Sequence, residues 1–409
     1  MATGWNDDNL YANLTRASTA ILDFTIPRGL TFCVSKSPNA VFNTTCSMTA
    51  LPTLNGSIGY IFTSHELSLP KSGDVEFQDV VDRFKVYTLP HRPETGGGES
   101  TAGKRIRDYL MYGRLYIPSG RLDALSTVRF TPTLQGIIAG ISDLPINVST
   151  RDASRSYDKY EKVNSSNLML SLQHDTGRWC SEYTWSAEDM MFGIRVLRNF
   201  GRLGGNAEEA RLSWRSEGRR ADEENGIEGS LGGRLSAGAE LYFSALEKSA
   251  GGSTGVRFTT LPDIPTDSVC SQPPVSLTAI FNPMMGYIST AYAAQVSQDL
   301  ALCSRFNFNV YSYESEWTVG SEWWVRKGVP ENIDWPSGES SVPNDLSGHQ
   351  SQEIQGVVKA RMSTKMDISF LWEGRIQNVL MSLGFMSDLS GGSKPIRAVG
   401  IELSYFSSD

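Results

Sequence analysis

I-R-A-V-G-I-E-L-S-Y-F, residues 396–406, is the stretch on which the reading of this chain turns. From Val399 it alternates: Val399, Ile401, Leu403 and Tyr405 fall on one side, Gly400, Glu402 and Ser404 on the other. A strand repeats every two residues, so this is one apolar face and one small or polar face. Ser407, Ser408 and Asp409 follow. An apolar strand so placed is a sticky edge unless something pairs with it. In a closed barrel an early strand does so, and the edge disappears.

The whole chain, 409 residues, is long enough for two or three soluble domains or one large barrel. A net charge of −8 argues against a general nucleic-acid binder. Gly is plentiful at 38, beside 9 Trp, 15 Tyr and 17 Phe, a composition of turns and aromatic strands. No apolar run approaches the roughly 18 residues of a membrane helix. A spanning strand needs only about 10 alternating residues, so a membrane barrel stays open. Met1 to Asp8 carries no basic and then apolar leader, which points a barrel to an organelle. Cys33, Cys46, Cys180, Cys270 and Cys303 are odd in number and lack C-x-x-C spacing, and read as reduced thiols.

Asp7 and Asp8 are placed to cap a helix from about Asn9 to Leu22, with Leu10, Leu14, Ala17 and Ile21 in one stripe. Residues 1–24 are therefore expected to form a segment whose helix lies in a barrel lumen. Residues 25–409 read as strands joined by turns. The clearest is Arg234–Leu246, where Leu235, Ala237, Ala239, Leu241 and Phe243 oppose Arg234, Ser236, Gly238, Glu240 and Tyr242. At about 3.3 Å per residue it can cross a bilayer even when tilted. Asn55-Gly56 reads as a hairpin turn opening a strand over Ser57–Thr63, and Arg83–Leu89 as a further strand. Long loops are expected near 90–108, 143–166, 198–232, 262–274 and 326–353. The total is 19 or 20 strands, with no repeat of 20–50 residues.

Alternation alone does not separate a membrane barrel from a soluble sandwich. The charges do. Arg234 shares a parity with Glu240, Glu316 with Glu322, Lys359 with Arg361, and Asp367 with Glu373, each set against an apolar face. A lysine or arginine against mid-depth lipid costs about 2–4 kcal/mol, so these faces look into water. No linker divides the strands into domains. Trp179, Trp185, Trp323, Trp324, Trp372 and Tyr405 sit near strand ends, as an interfacial girdle would. The fold class expected is an all-β transmembrane barrel of about 19 strands with a short helix in its lumen.

Catalytic signals fail on context. Gly251-Gly252-Ser253-Thr254-Gly255 fits G-x-S-x-G, but Val256–Thr260 after it is strand-like where a nucleophile elbow needs a helix, and a hairpin turn is expected. Gly98 to Arg105 misses a phosphate-binding loop because Arg105 stands where Ser or Thr should bind magnesium. His65, His91, His174 and His349 are scattered, without ligand spacing. No enzyme, cofactor or metal is expected. A soluble all-β carbohydrate-active enzyme is the reading that a membrane-extraction experiment would separate.

Several stretches carry a family resemblance. They are Gly4-Trp5-Asn6-Asp7-Asp8-Asn9-Leu10-Tyr11, Pro27-Arg28-Gly29-Leu30, Leu54-Asn55-Gly56-Ser57-Ile58-Gly59-Tyr60, Phe281-Asn282-Pro283-Met284-Met285-Gly286-Tyr287 and Ile396–Phe406. With them the chain resembles, from end to end, the fungal outer-membrane barrels of the mitochondrial distribution and morphology protein ten family. Gly400, Leu403 and Tyr405 also resemble the terminal sorting signal of mitochondrial barrels, with Ala398 where that pattern has a polar residue. The resemblance implies a porin-type barrel of 19 strands, its first and last strands parallel, in the mitochondrial outer membrane. It implies a non-enzymatic anchor of the endoplasmic reticulum–mitochondria encounter structure, with roles in tethering, lipid exchange and mitochondrial morphology. It further implies a subunit of the sorting and assembly machinery that promotes assembly of outer-membrane barrels and the preprotein translocase. The expected partners are the other subunits of the encounter structure, the barrel subunit of the sorting machinery, translocase components and membrane lipids. Ile58, Tyr60 and Phe62, on one outward stripe, and Tyr287 are candidate partner contacts. A diffusion channel like the voltage-dependent anion channel is the alternative. Against the resemblance, the chain begins close to its Gly-Trp-Asn stretch, and its loops are expected to be trimmed.

Overall fold

The computed structural model describes residues 5–66, 72–73, 77–86, 108–143, 166–200, 233–260, 273–326, 354–389 and 396–408. Nineteen strands form one sheet. They are β1 (Gly29–Asn39), β2 (Phe42–Leu51), β3 (Asn55–Thr63), β4 (Tyr109–Ile117), β5 (Leu122–Thr131), β6 (Leu134–Ser142), β7 (Asn167–Asp175), β8 (Trp179–Ser186), β9 (Met191–Phe200) and β10 (Gly233–Ser244). There follow β11 (Ser249–Thr260), β12 (Val275–Asn282), β13 (Tyr287–Gln295), β14 (Leu300–Asn309), β15 (Ser315–Arg326), β16 (Ile354–Ser363), β17 (Asp367–Ile376), β18 (Val379–Asp388) and β19 (Ile396–Ser408). Each strand pairs antiparallel with its sequence neighbour. β19 returns to pair parallel with β1, from Gly29 opposite Gly400 to Ser37 opposite Ser408. The sheet is closed and has no free edge, which is how an apolar last strand is satisfied.

The seam explains its two glycines. Gly29 has a φ of 71°, and a side chain on it would run into the carbonyl of Leu51. A side chain on Gly400 would run into the carbonyl of Pro27. The chain turns here from lumen to wall, and only glycine lets the two backbones pass so closely. Gly400 thus has a packing role in the folded barrel, while Tyr405 lies exposed on the outer face and Leu403 half-buried beside it.

Side-chain parity is uniform around the wall. Outward lie Leu235, Leu241, Val256, Val319 and Val399, all exposed, where lipid covers them. Inward lie Arg234, Arg257, Glu322 and Lys359, all buried against chain that enters the lumen. Outward aromatics form two girdles, Phe62, Trp179, Phe200 and Trp323 toward one rim, Phe192, Phe243, Phe281 and Trp317 toward the other. Such belts sit at the two lipid–water interfaces. No described helix is long and apolar enough to cross a membrane.

Five expectations need correction. Arg83–Leu89 is not a strand over its described part. Residues 82–86 run inside the barrel, and the Phe84 amide donates to the Glu322 carboxylate instead of to a ladder partner. Asn55 and Gly56 pair within β3, opposite Thr49 and Met48, so the turn precedes them. Gly251–Gly255 lies inside β11, not in a turn. The loop expected from residue 198 begins later, because Arg198 to Phe200 extend β9 against Leu235 to Ala237. Trp324 is buried and faces the lumen, so it belongs to no girdle; its neighbour Trp323 does. The stretch Gly98–Arg105, and most of the expected long loops, lie outside the described residues.

Candidate functional site: the filled lumen and the outer wall

Odd-numbered strands all end at one rim, here the upper rim. The connections after β3, β9, β11 and β15 open there, and the N-terminal segment starts there beside Gly177 in the β7–β8 turn. It descends the lumen to Pro27 and Gly29 at the lower rim. The expected continuous helix is broken into two single 3-10 turns, Asp7–Asn9 and Tyr11–Asn13, followed by α1 (Arg16–Leu22). Asp8 does not cap. Its carboxylate accepts from Arg257 Nη1 at 2.9 Å and from Arg234 Nη2 at 3.1 Å, with all three side chains buried. A helix cap would leave two guanidiniums facing each other with no counter-charge.

The rest of the segment is fastened residue by residue. Asn9 donates to Asp175 at 2.6 Å, and the Tyr11 hydroxyl meets Ser253 at 2.7 Å. Ser253, the serine of G-x-S-x-G, is therefore a docking group. Asp23 receives both Nη atoms of Arg305, at 2.6 and 2.8 Å. The expected stripe is the face that docks: Leu10 and Leu14 with Cys180 and Leu197, Ile21 with Ala293, Ala301 and Cys303, and Ala17 at the edge. Gly238 and Gly255 face each other on β10 and β11, and a Cβ on either would come 2.6 Å from Tyr11 or Leu14. These two glycines are a track for the segment.

A second insertion comes from the β3–β4 connection. α2 (Phe77–Val80) packs Phe77 with Trp324, Ile354, Val357 and Leu380. Arg375 donates to the Gly73 carbonyl at 3.0 Å. Glu322 accepts from Trp324 Nε1 at 2.7 Å and lies 3.6 Å from Lys359. Lys359 in turn donates to the carbonyls of Ala20 and Asp82. This lysine ties both insertions to β16, and no sequence pattern marks it as doing so. Among the described residues no cluster of His, Cys, Asp or Glu could hold a metal ion.

On the outer wall, Tyr60 and Phe62 are exposed and Ile58 half-buried, in one row of β3. Phe42 stacks on Tyr60 at 6.0 Å between centroids, and Tyr109 tilts against Phe62 at 5.8 Å. The patch thus spans β2–β4. Phe42 and Tyr109 were missed because only register, Phe42 opposite Phe62 and Thr63 opposite Leu110, brings them in. Beside Tyr60 a Cβ on Gly113 would meet nothing within 4 Å, so the patch borders a bare step. Tyr287 is not part of it. It lies on β13, across the barrel from β3. Its neighbours are the exposed Met284, Met285 and Tyr311 at the lower rim, where the Tyr311 hydroxyl donates to the Pro283 carbonyl at 2.9 Å.

The family model for mitochondrial distribution and morphology protein 10 matches residues 1–345 and 336–408. The protein of that name from Laccaria bicolor is 55% identical over 434 residues, spanning 100% of this chain and 97% of its own length. The one from Postia placenta is also 55% identical, over 440 residues, 99% of this chain and 96% of its own. That from Cryptococcus neoformans is 40% identical across 99% of this chain and 97% of its own. With the closed barrel and apolar outer wall, these matches show that the chain belongs to the mitochondrial distribution and morphology protein 10 family, as a multi-pass β-barrel of the mitochondrial outer membrane.

Proposed function

We propose that the barrel is a non-enzymatic outer-membrane anchor of the endoplasmic reticulum–mitochondria encounter structure, serving tethering, lipid exchange and mitochondrial morphology. We propose in addition that it joins the sorting and assembly machinery and promotes assembly of outer-membrane barrels and the translocase. The observation that supports a docking role is the way the lumen is filled. Two insertions are fixed to β7–β18, the first by the buried ion pairs of Asp8 and both by hydrogen bonds and apolar clusters. What the barrel offers other proteins is therefore its outer wall and its rims.

Two separate surfaces suit two assemblies, one on the outer wall and one at the lower rim, where Tyr287 has the inward parity of Ala291 and Ala293. The aromatic patch of Tyr60 and Phe62 lies in the wall, where another membrane barrel would meet it. The cluster around Tyr287, Met284 and Met285 stands at a rim, where a water-soluble partner would. Affinity capture from mitochondria tests this. Tyr60→Ala/Phe62→Ala should lose one assembly and keep the other, and Tyr287→Ala should do the reverse. Capture of both assemblies in unchanged yield by both variants would remove the reading. The competing reading is a diffusion channel, favoured by the inward row Ile61, Tyr112, Leu125, Ala139 and Met169 on β3–β7, none of which is buried by the insertions. A large steady conductance in planar bilayers would support the channel.

A further inference from the structure

The apolar inner-wall residues Ala293, Cys303, Leu197 and Val357 are covered by the two insertions, whereas one other apolar row, on a lumen face where polar residues are the rule, is not. Register places Ile61 opposite Tyr112, Tyr112 opposite Leu125, Leu125 opposite Ala139, and Ala139 opposite Met169. This is an unbroken row across β3–β7, on the same parity as the inward Gln173 and Glu182. None of these side chains is buried, and Met169 is 40% exposed. None belongs to the apolar clusters that hold the two insertions. α1 packs on β13–β16, on the far side of the barrel. The row therefore looks into the lumen, descending from near the upper end of β3 to near the lower end of β7.

Its size and surroundings select an occupant. Five strands about 4.8 Å apart make a belt of about 19 Å, against about 15 Å for one leaflet of hydrocarbon. One row nearer the lower rim is Arg114, opposite Gly59 and Asp123. Asp123 pairs with Arg121 at 2.8 Å, and Arg114 makes no ion pair among the described residues. Arg114 stacks over Tyr116 and donates to Ser47, and its buried Nε has no hydrogen-bond partner among the described residues. A peptide on this belt would need partners for its backbone N–H groups, and the row offers only the hydroxyl of Tyr112. A hydrocarbon chain needs none.

We propose that the β3–β7 belt is a lumenal site for an acyl chain of a phospholipid, with Arg114 taking its phosphate. The site does not depend on which assembly the outer wall engages. The test uses the full chain in phosphatidylcholine vesicles carrying a trace of phosphatidylcholine with a photoactivatable diazirine in its acyl chain. After irradiation, adducts are mapped by residue. Parity supplies the control, because Met111 and Leu170 face lipid on the same strands as the inward Tyr112 and Met169. Adducts on inward and outward residues together support the site. Leu125→Gln/Ala139→Gln should lower the inward adducts about tenfold and leave the outward ones, which report an intact barrel. Arg114→Gln should lower inward labelling by the phosphatidylcholine probe and not by a diacylglycerol probe with the same chain. Adducts confined to outward residues, or inward adducts indifferent to Leu125→Gln/Ala139→Gln, would overturn the proposal. Equal labelling of wild type and Arg114→Gln would remove the phosphate contact from it.

Discussion

At the scale of single residues, Asp8 carries the greatest consequence. One carboxylate sits between two buried guanidiniums, so its loss leaves like charges facing each other out of water. Removing one partner of a buried ionic group costs about 3–5 kcal/mol, because the remaining charge keeps its desolvation penalty. Asp8→Ala is expected to lower the unfolding midpoint of the refolded barrel and to expose the N-terminal segment to protease. Adding Arg234→Met should recover part of the loss, since one fewer charge is then stranded. A double-mutant cycle on unfolding free energies measures the coupling, and additivity within about 0.5 kcal/mol would rule the contact out as a latch. Composition does not single out this aspartate; Asp7 and Asp8 look alike as helix caps. What distinguishes them is which one a partial helical turn aims at β10 and β11, and that depends on tertiary placement.

At the scale of elements, the docking track makes a sharper demand than the helix it receives. Gly255→Val would push a methyl against Leu14 Cδ2 and Ile280 Cγ1, which a Cβ alone would approach to 2.6 and 3.3 Å. Overpacking of this kind costs about 1–3 kcal/mol. In an Ala12→Cys background, Gly255→Val should speed thiol labelling by a water-soluble maleimide. Gly113→Val, on the open outer face, should not. The strands were legible because neither a helix nor a loop keeps a period of two over about ten residues. Arg83–Leu89 misled for the same reason: Phe84 and Val86 do face an apolar cluster, but it is lumen wall and α1, with no ladder beside it. The helix was misread at its start because tertiary contacts to Asp8, Asn9 and Tyr11 outweigh the propensity to wind continuously. The outward stripe of Ile58, Tyr60 and Phe62 could be read from one strand. Phe42 and Tyr109 could not, since register is a property of pairs.

For the whole molecule, the governing fact is that oil lies outside and polar groups inside, and the parity of every strand follows from it. On the inner side the apolar residues of β8, β9, β13, β14 and β16 are covered by the insertions, and the belt on β3–β7 is not. The belt was invisible in sequence because a strand apolar on both faces looks merely hydrophobic until its neighbours are known. The general rule can be tested by moving one charge across one wall. Val319 is exposed on the outer face of β15, and Asn307 faces inward on β14, paired across from Glu316. Val319→Lys places an ammonium in the hydrocarbon, where the cost is about 2–4 kcal/mol near the midplane. Asn307→Lys places the same group in the lumen, within reach of a carboxylate. In vesicles, Val319→Lys should unfold at clearly lower denaturant and insert in lower yield, while Asn307→Lys should stay within about 0.5 kcal/mol of wild type. In detergent micelles, which let a lysine snorkel to water, the gap should shrink. Equal stability of the two variants in vesicles would mean that the outer wall is not in lipid, and the anchor, the patches and the belt would lose their common ground.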